Sequence, residues 1–100
     1  MPIAAVQEFD VAPGDRSTTN YDAFTARLRA LPAPKGLILH TAGFTTDDVF
    51  RVFEVWESEE DAERFRNEVL IPLLQSLPTT GEAGPPQRDY TYPLHGLQRG

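Results

Sequence analysis

The segment from residue 49 to residue 57, Val-Phe-Arg-Val-Phe-Glu-Val-Trp-Glu, constrains the fold more than any other part of the chain. It is rich in β-branched and aromatic residues, which predicts a β-strand. Because side chains alternate along a strand, its two faces are Val49/Arg51/Phe53/Val55 and Phe50/Val52/Glu54/Trp56. Both faces are largely apolar, and such a strand is buried on both sides. We therefore expect helices to cover one face of the sheet and a second copy of the chain to cover the other.

The rest of the chain predicts three more strands and two helices. The strands are at residues 2–10, 36–45 and 88–97. The first helix, which ends at Pro32 and Pro34, has one apolar face of Tyr21, Phe24, Leu28 and Leu31. The second, capped by Ser58, has a buried stripe of Ala62, Phe65, Val69, Leu73 and Leu77. Pro72 lies inside that stripe and should kink the helix or start a new turn, and a loop should follow from Pro78 to Gln87.

The order of these elements, strand–helix–strand–strand–helix–strand, predicts an α+β fold. We expect a ferredoxin-like βαββαβ domain, with a four-stranded antiparallel sheet and both helices on one face. A length of 100 residues suits a single domain, over residues 1–100.

Composition excludes several kinds of function. The net charge of −6 disfavours nucleic-acid binding, which requires clustered basic residues. The absence of cysteine excludes disulfides and thiolate-ligated metals. No stretch is long and apolar enough for a membrane span, and the first residues lack the pattern of a signal peptide, so we expect a cytoplasmic protein.

His40 and Glu54 form the most informative pair of polar residues. A hairpin centred on residues 46–48 places residue 40 opposite residue 54, with Cβ atoms about 5 Å apart. A carboxylate that accepts a hydrogen bond from imidazole fixes its tautomer and raises its basicity. The pair is therefore either a general base, with Glu54 orienting His40, or a structural hydrogen bond that ties the hairpin together. The neighbouring Trp56 is either core or a pocket wall that stacks on a planar ligand.

Two other arrangements are weaker. A metal site of His40, Glu54 and His95 is disfavoured, because strands three and four should lie about 10 Å apart whereas ligand atoms must lie about 2 Å from one ion. His95 is better interpreted as structural or as part of a dimer interface. Pro2 would resemble the catalytic N-terminal proline of the tautomerase superfamily if Met1 were removed. However, that resemblance covers three residues, and a proline at the start of a strand is the simpler interpretation.

A longer resemblance covers residues 36–75. The stretches Gly-Leu-Ile-Leu-His-Thr-Ala-Gly at 36–43 and Val-Phe-Glu-Val-Trp-Glu-Ser at 52–58, followed by Phe65 and by Leu-Ile-Pro at 70–72, resemble the dimeric α/β-barrel superfamily. Within it, the chain is most similar to the antibiotic-biosynthesis monooxygenases. This resemblance implies a homodimer that pairs through the open sheet faces, with a pocket in each subunit between sheet and helices.

The resemblance also implies a range of activities, among them cofactor-free oxygenation, haem degradation and lactone isomerisation. Haem-degrading members carry a helix-two histidine where this chain has Phe65 and Arg66, and cofactor-free oxygenases place an amide where it has Val52. We therefore expect a protein with no metal or cofactor that binds a small hydrophobic or aromatic ligand against Trp56, Phe24 and Phe65. It would be a cofactor-independent monooxygenase or a proton-transfer enzyme acting on an aromatic or polyketide-like substrate. The alternative is a non-catalytic ligand-binding or interaction homodimer.

Overall fold

A computed structural model describes residues 1–76 and 86–98 of the chain. Most of the predicted loop at 78–87, and Leu77 of the predicted helical stripe, lie outside the described residues. The strands are β1 (Ile3–Asp10), β2 (Leu37–Phe44), β3 (Val49–Trp56) and β4 (Arg88–Pro93). The helices are α1 (Thr19–Arg29), α2 (Glu59–Phe65) and α3 (Ile71–Ser76), and the segment Arg66–Leu70 forms a π-helical turn between the last two.

The four strands form one antiparallel sheet in the order β2-β3-β1-β4. This is the predicted ferredoxin-like topology, and the α+β fold class is confirmed. The fourth strand is shorter than predicted and ends at Pro93. The chain then leaves the sheet, although the backbone N–H of Leu94 still donates to the carbonyl of Pro2.

The helices lie on one face of the sheet, which we call the helix face. Tyr21 of α1 contacts Phe50, and Phe65 of α2 contacts Trp56, and both contacted residues belong to the same face of β3. The core lies in the two central strands, where six apolar side chains are buried: Ile3, Ala4, Val6, Val52, Val55 and Trp56. The opposite, open face carries Arg51, Phe53 and the rings of Tyr90 and Tyr92, which flank the smaller buried side chains of β1.

Helix α1 packs less closely than its sequence predicts. The predicted apolar face is at best half-buried, no residue of α1 is fully buried, and Leu31 lies beyond the helix with 45% of its surface exposed. The reason is that α1 contacts the sheet near the first turn of the helix. There the ring of Tyr21 packs on Phe50 and on His40, which belongs to the edge strand β2. Only one end of the helix is therefore fixed by aromatic contacts.

The second helical region begins as predicted and changes form before Pro72. The hydroxyl of Ser58 accepts a hydrogen bond from the backbone N–H of Asp61, which is the predicted N-cap. The backbone N–H of Ile71 donates to the carbonyl of Arg66, five residues back, which defines the π-helical turn. A proline provides no N–H and its ring crowds the preceding turn, so the widened turn and the new helix at Ile71 accommodate Pro72.

A buried carboxylate organises the open face. Glu8 is 7% exposed and lies between Arg51 and Arg88, which both donate to it, while Arg88 also contacts Asp10. The hydrogen bond from Arg88, followed by that from Arg51, holds the pKa of Glu8 below its ordinary value. The charged form of Glu8 is thus stabilised by folding.

We expect the substitution Glu8→Gln to remove part of the acid sensitivity of the fold. Because the pKa of Glu8 is lower in the folded state than in the unfolded state, its contribution is complete above the unfolded pKa and is lost as pH falls through the folded pKa. Urea denaturation of the wild type between neutral pH and about pH 3 should therefore show a larger loss of stability than that of Glu8→Gln. The matched control is Glu57→Gln at an exposed position. Equal acid sensitivity of wild type and Glu8→Gln would contradict this role.

Candidate functional site

His40 and Glu54 face each other on the helix face. The register of the β2–β3 hairpin pairs residue 40 with residue 54, which confirms the predicted alignment. The hairpin loop is held by Asp48, which has a φ of 57° and accepts hydrogen bonds from Gly14 N–H and from Arg16. In this geometry His40 Nδ1 lies 2.7 Å from Glu54 Oε2.

Two further side chains extend this pair into a hydrogen-bonded chain. The hydroxyl of Tyr21 lies 2.6 Å from His40 Nε2, and Trp56 Nε1 donates to Glu54 Oε1 at 3.3 Å. Burial, and then the charge of Glu54, raise the pKa of Tyr21, so this phenol keeps its proton. A Glu54 carboxylate only accepts, so Nδ1 of His40 carries a proton and the neutral ring accepts from Tyr21 at Nε2. The chain from Tyr21 through His40 therefore directs its donors toward Glu54.

Glu54 also lines a cavity of about 380 Å³ between the helix face and α2. Its apolar wall consists of Ala5, Trp56, Ala62, Phe65 and Leu70. The rings of Trp56 and Phe65 have centroids 5.3 Å apart, and the Trp56 side chain is itself almost fully buried. A cavity with one aromatic wall is suited to a flat organic ligand. A second depression, of about 270 Å³, lies elsewhere, along β2 and the neighbouring part of β3.

The polar wall of the cavity is mostly acidic. Its charged side chains are Glu54, Glu59, Glu63, Asp89 and Arg66. Arg66, at the start of the π-helical turn, reaches across to β4, where its guanidinium lies 3.3 Å from Asp89. The cavity thus has a carboxylate on the sheet, near the aromatic wall, and one cation on the helical side.

The predicted site residues are only partly brought together. Glu54, Trp56 and Phe65 line the cavity, whereas His40 is bonded to Glu54 on the side of β2, and neither His40 nor Phe24 is among the lining residues. Their roles in ligand binding and catalysis stay predictions.

The sequence patterns do not predict Tyr21 or Arg66 as site residues. For Tyr21 the available signal is a phenol on an otherwise apolar helix face, since buried tyrosines usually find a hydrogen-bond partner. For Arg66 the sequence indicates only that a histidine is missing from this part of helix two.

Metal and haem binding do not fit the described residues. Among residues 1–76 and 86–98 no group of three or more metal-binding side chains comes together. His95 is exposed and follows β4 instead of lying on it, which corrects its predicted place in the strand. Neither of the two histidines of the chain lines the cavity, and the acidic wall would repel haem propionates.

Comparisons with known proteins identify relatives in structure only. No protein-family model matches the sequence, and the search of curated proteins finds no match. A mutant of SnoaB, a cofactor-independent oxygenase from Streptomyces nogalater, has a TM-score of 0.65 at 14% identity, over 96% of this chain and 95% of that chain. A heme-degrading protein from Mycobacterium tuberculosis has a TM-score of 0.61 at 16% identity, over 100% of both chains. A putative antibiotic biosynthesis monooxygenase from Chloroflexus aurantiacus has a TM-score of 0.59 at 18% identity, also over 100% of both chains.

These likenesses agree with the element order and the sheet topology described above. None of the helices within the described residues has the length and apolar character needed to cross a membrane. The chain has the ferredoxin-like fold of the antibiotic-biosynthesis-monooxygenase-like proteins.

Proposed function

We propose that this protein is a cofactor-independent enzyme that removes a proton from a small aromatic or polyketide-like substrate. The observation that carries the proposal is the chain of Tyr21, His40 and Glu54, which ends at the wall of a cavity lined by Trp56 and Phe65. A base next to an aromatic wall suits a flat substrate with an acidic hydrogen.

Glu54 and His40 have different roles in this reaction. Glu54 meets the cavity and is the group that accepts the substrate proton. His40 already carries a proton on the Nδ1 that donates to Glu54 Oε2, so the substrate proton stays on the Glu54 carboxyl group and is released from there to solvent. His40 therefore orients Glu54 through Nδ1, and the donor from Trp56 holds the other carboxylate oxygen in place.

Oxygenation is a natural continuation of this proton transfer. A substrate methylene that has lost a proton is electron-rich and reacts with dioxygen; a methylene group and dioxygen then give a carbonyl group and water, so no external reductant is required. The similarity in fold to a cofactor-independent oxygenase supports this course. Residue 52 is a buried valine, whereas cofactor-free oxygenases place an amide there. An amide at that position therefore takes no part in the proposed reaction.

The proposal is tested with dithranol, a dihydroxyanthrone with an acidic methylene. We expect the wild type to consume oxygen and to form the corresponding quinone, and Glu54→Gln to be slower by about a hundredfold or more, as is usual when a general base is lost. Glutamine conserves the shape of the side chain and still accepts from Trp56. Glu57→Gln, at an exposed position outside the cavity, is the matched control and should keep the wild-type rate.

A non-catalytic ligand-binding protein is the second candidate, because both ring nitrogens of His40 are occupied, as in a purely structural tie. NMR titration of His40 with and without a planar phenol distinguishes the two. When Glu54 takes up a proton from the ligand, the negative charge next to His40 is lost, so catalysis by Glu54 predicts that the ligand changes the apparent pKa of His40. Ligand binding that leaves His40 unaffected, together with no dithranol turnover, would favour the binding protein.

We further propose that the protein is a homodimer that pairs through the open face. Leu39, Tyr90 and Tyr92 lie on that face with 46%, 46% and 42% of their surfaces exposed. Aromatic residues of this size are enriched in the centres of protein interfaces. The bridges from Arg51 and Arg88 to Glu8 neutralise the buried charge between them, which prepares the face for contact.

Sedimentation velocity checks the dimer. We expect the wild type to sediment as a dimer and Tyr92→Lys to sediment as a monomer with a native circular dichroism spectrum, since a charge in the centre of the contact must be desolvated. Leu31→Lys is the control: Leu31 is equally exposed, at 45%, but it follows α1 and is not part of the sheet. A wild-type monomer with a native spectrum would contradict the proposal.

A further inference from the structure

Arg66 is distinguished by its charge among the residues that line the cavity. Within the part of the chain that the structure describes, the lining includes four carboxylates, on Glu54, Glu59, Glu63 and Asp89, and Arg66 is its one basic side chain. Glu59 and Glu63 are exposed and four residues apart, so they lie on the same side of α2.

This distribution of charge disfavours a ligand that is already an anion. Each carboxylate repels it, and a single guanidinium does not compensate for four of them. A neutral ligand pays no such penalty on entry. It gains negative charge only when Glu54 takes its proton, and Arg66 is then the group in the cavity that is able to meet that charge.

In this structure the contact of Arg66 with Asp89 leaves guanidinium donors that are able to bind a negatively charged ligand oxygen. Among the residues that the structure describes, Arg66 is bonded to Asp89 through one terminal nitrogen at 3.3 Å, and 56% of its side chain is exposed. A guanidinium has five N–H donors in a planar fork, so Arg66 is able to bind a ligand oxygen while it keeps its bond to Asp89.

The helical region that forms one wall of the cavity also fixes the position of Arg66. The preceding residue, Phe65, is held by its contact with Trp56, and the carbonyl of Arg66 accepts from Ile71 to close the π-helical turn. Arg66 is therefore fixed at its backbone on both sides, while its side chain crosses from the helices to β4. π-Helical turns of this kind are frequent at functional sites.

We propose that Arg66 stabilises the oxyanion that forms when Glu54 deprotonates the substrate, and that the substrate is a neutral phenolic or enolisable compound. The substrate proton moves to Glu54, and the electron pair it leaves is delocalised onto an oxygen that accepts hydrogen bonds from the Arg66 guanidinium. The inference rests on the proposed function for the identity of the base. The charge state of the substrate and the role of Arg66 as a specificity-determining residue go beyond that function.

The experiment measures the ionisation of a bound phenol. Para-nitrophenol is titrated in complex with the wild type, Arg66→Gln, Arg66→Lys and Arg64→Gln, and the absorbance of its phenolate reports its bound pKa. We expect Arg66→Gln to raise that pKa by about one unit relative to the wild type, because a cation beside the oxygen is lost. Arg66→Lys should restore most of the difference by its charge. Arg64→Gln is the control, since Arg64 binds Glu60 and Asp61 and is not among the lining residues.

Turnover of dithranol provides the second measurement. Arg66→Gln should lower kcat by about tenfold or more with little change in KM, because the charge it stabilises develops only during the reaction. If bound para-nitrophenol titrates identically in wild type and Arg66→Gln, and kcat is unchanged, the role of Arg66 is overturned even where Glu54-dependent turnover stands. Conversely, a shifted bound pKa without any dithranol turnover keeps the oxyanion site and refutes the proposed reaction.

Discussion

Replacing Trp56 with alanine is expected to lower the free energy of unfolding by about 3–5 kcal/mol. The Trp56 side chain is 1% exposed, ends β3, pairs with Ile3 of the neighbouring strand and packs on the ring of Phe65. Truncation leaves a cavity in the small core and removes the contact that holds α2 on the sheet. Because small domains are typically stable by about 5–15 kcal/mol, the variant should lose a large share of its stability and unfold at a clearly lower urea concentration than the wild type.

Urea denaturation followed by far-ultraviolet circular dichroism measures this, since the chain has one Trp and the variant loses its fluorescence. Trp56→Phe should lose much less stability, because it keeps an aromatic ring at the same position. Phe24→Ala is the control for a half-buried aromatic residue on α1 and should also lose less. If Trp56→Ala and Phe24→Ala were equally mild, the core would not depend on the junction of β3 and α2.

The hairpin that brings His40 to Glu54 was predictable because its causes are local. Side chains of a strand alternate with a period of two, and the loop at residues 45–48 has the polar composition of a tight turn. A shift of one residue in the pairing of β2 with β3 would place His40 and Glu54 on opposite faces of the sheet. The correct position of the hairpin loop is therefore sufficient to bring the two side chains together. The cap at Ser58 and the interruption before Pro72 are equally local, and both were found in the predicted places.

The two residues that complete the site depend on tertiary placement. Tyr21 reaches His40 because α1 lies over the edge strand β2, and no local pattern fixes where along the sheet a helix crosses. Arg66 faces the cavity because the π-helical turn starts there, which the sequence indicated only as an irregularity near Pro72. The loose packing of α1 has the same origin, since an apolar stripe indicates a helix face without indicating how closely that face is covered.

Replacing Gly36 with alanine is expected to destabilise the protein by about 2–3 kcal/mol, since a left-handed backbone costs a non-glycine residue about 1–2 kcal/mol and disturbing a helix cap costs about 1 kcal/mol. Gly36 has a φ of +86°, and its carbonyl accepts a hydrogen bond from Glu57 N–H just before α2. A Cβ atom at this position would collide with the side chain of Asp61. Asp61 must then move, although its N–H is bonded to Ser58 and its carboxylate to Arg64. Gly36→Ala therefore disturbs the start of the helix that lines the cavity.

A double-mutant cycle with Asp61→Gly separates the two causes. In the absence of the Asp61 side chain, whose Cβ and carboxylate both meet the added atom, the clash is relieved. Gly36→Ala should therefore lose less stability there than in the wild-type background, and the remaining loss is that of the left-handed backbone. Gly43→Ala is the control, because a Cβ atom at Gly43 meets no atom within 4 Å and the residue lies in the regular part of β2. Equal losses for Gly36→Ala in both backgrounds, measured by urea denaturation, would mean that the close approach of Asp61 to Gly36 does not position α2.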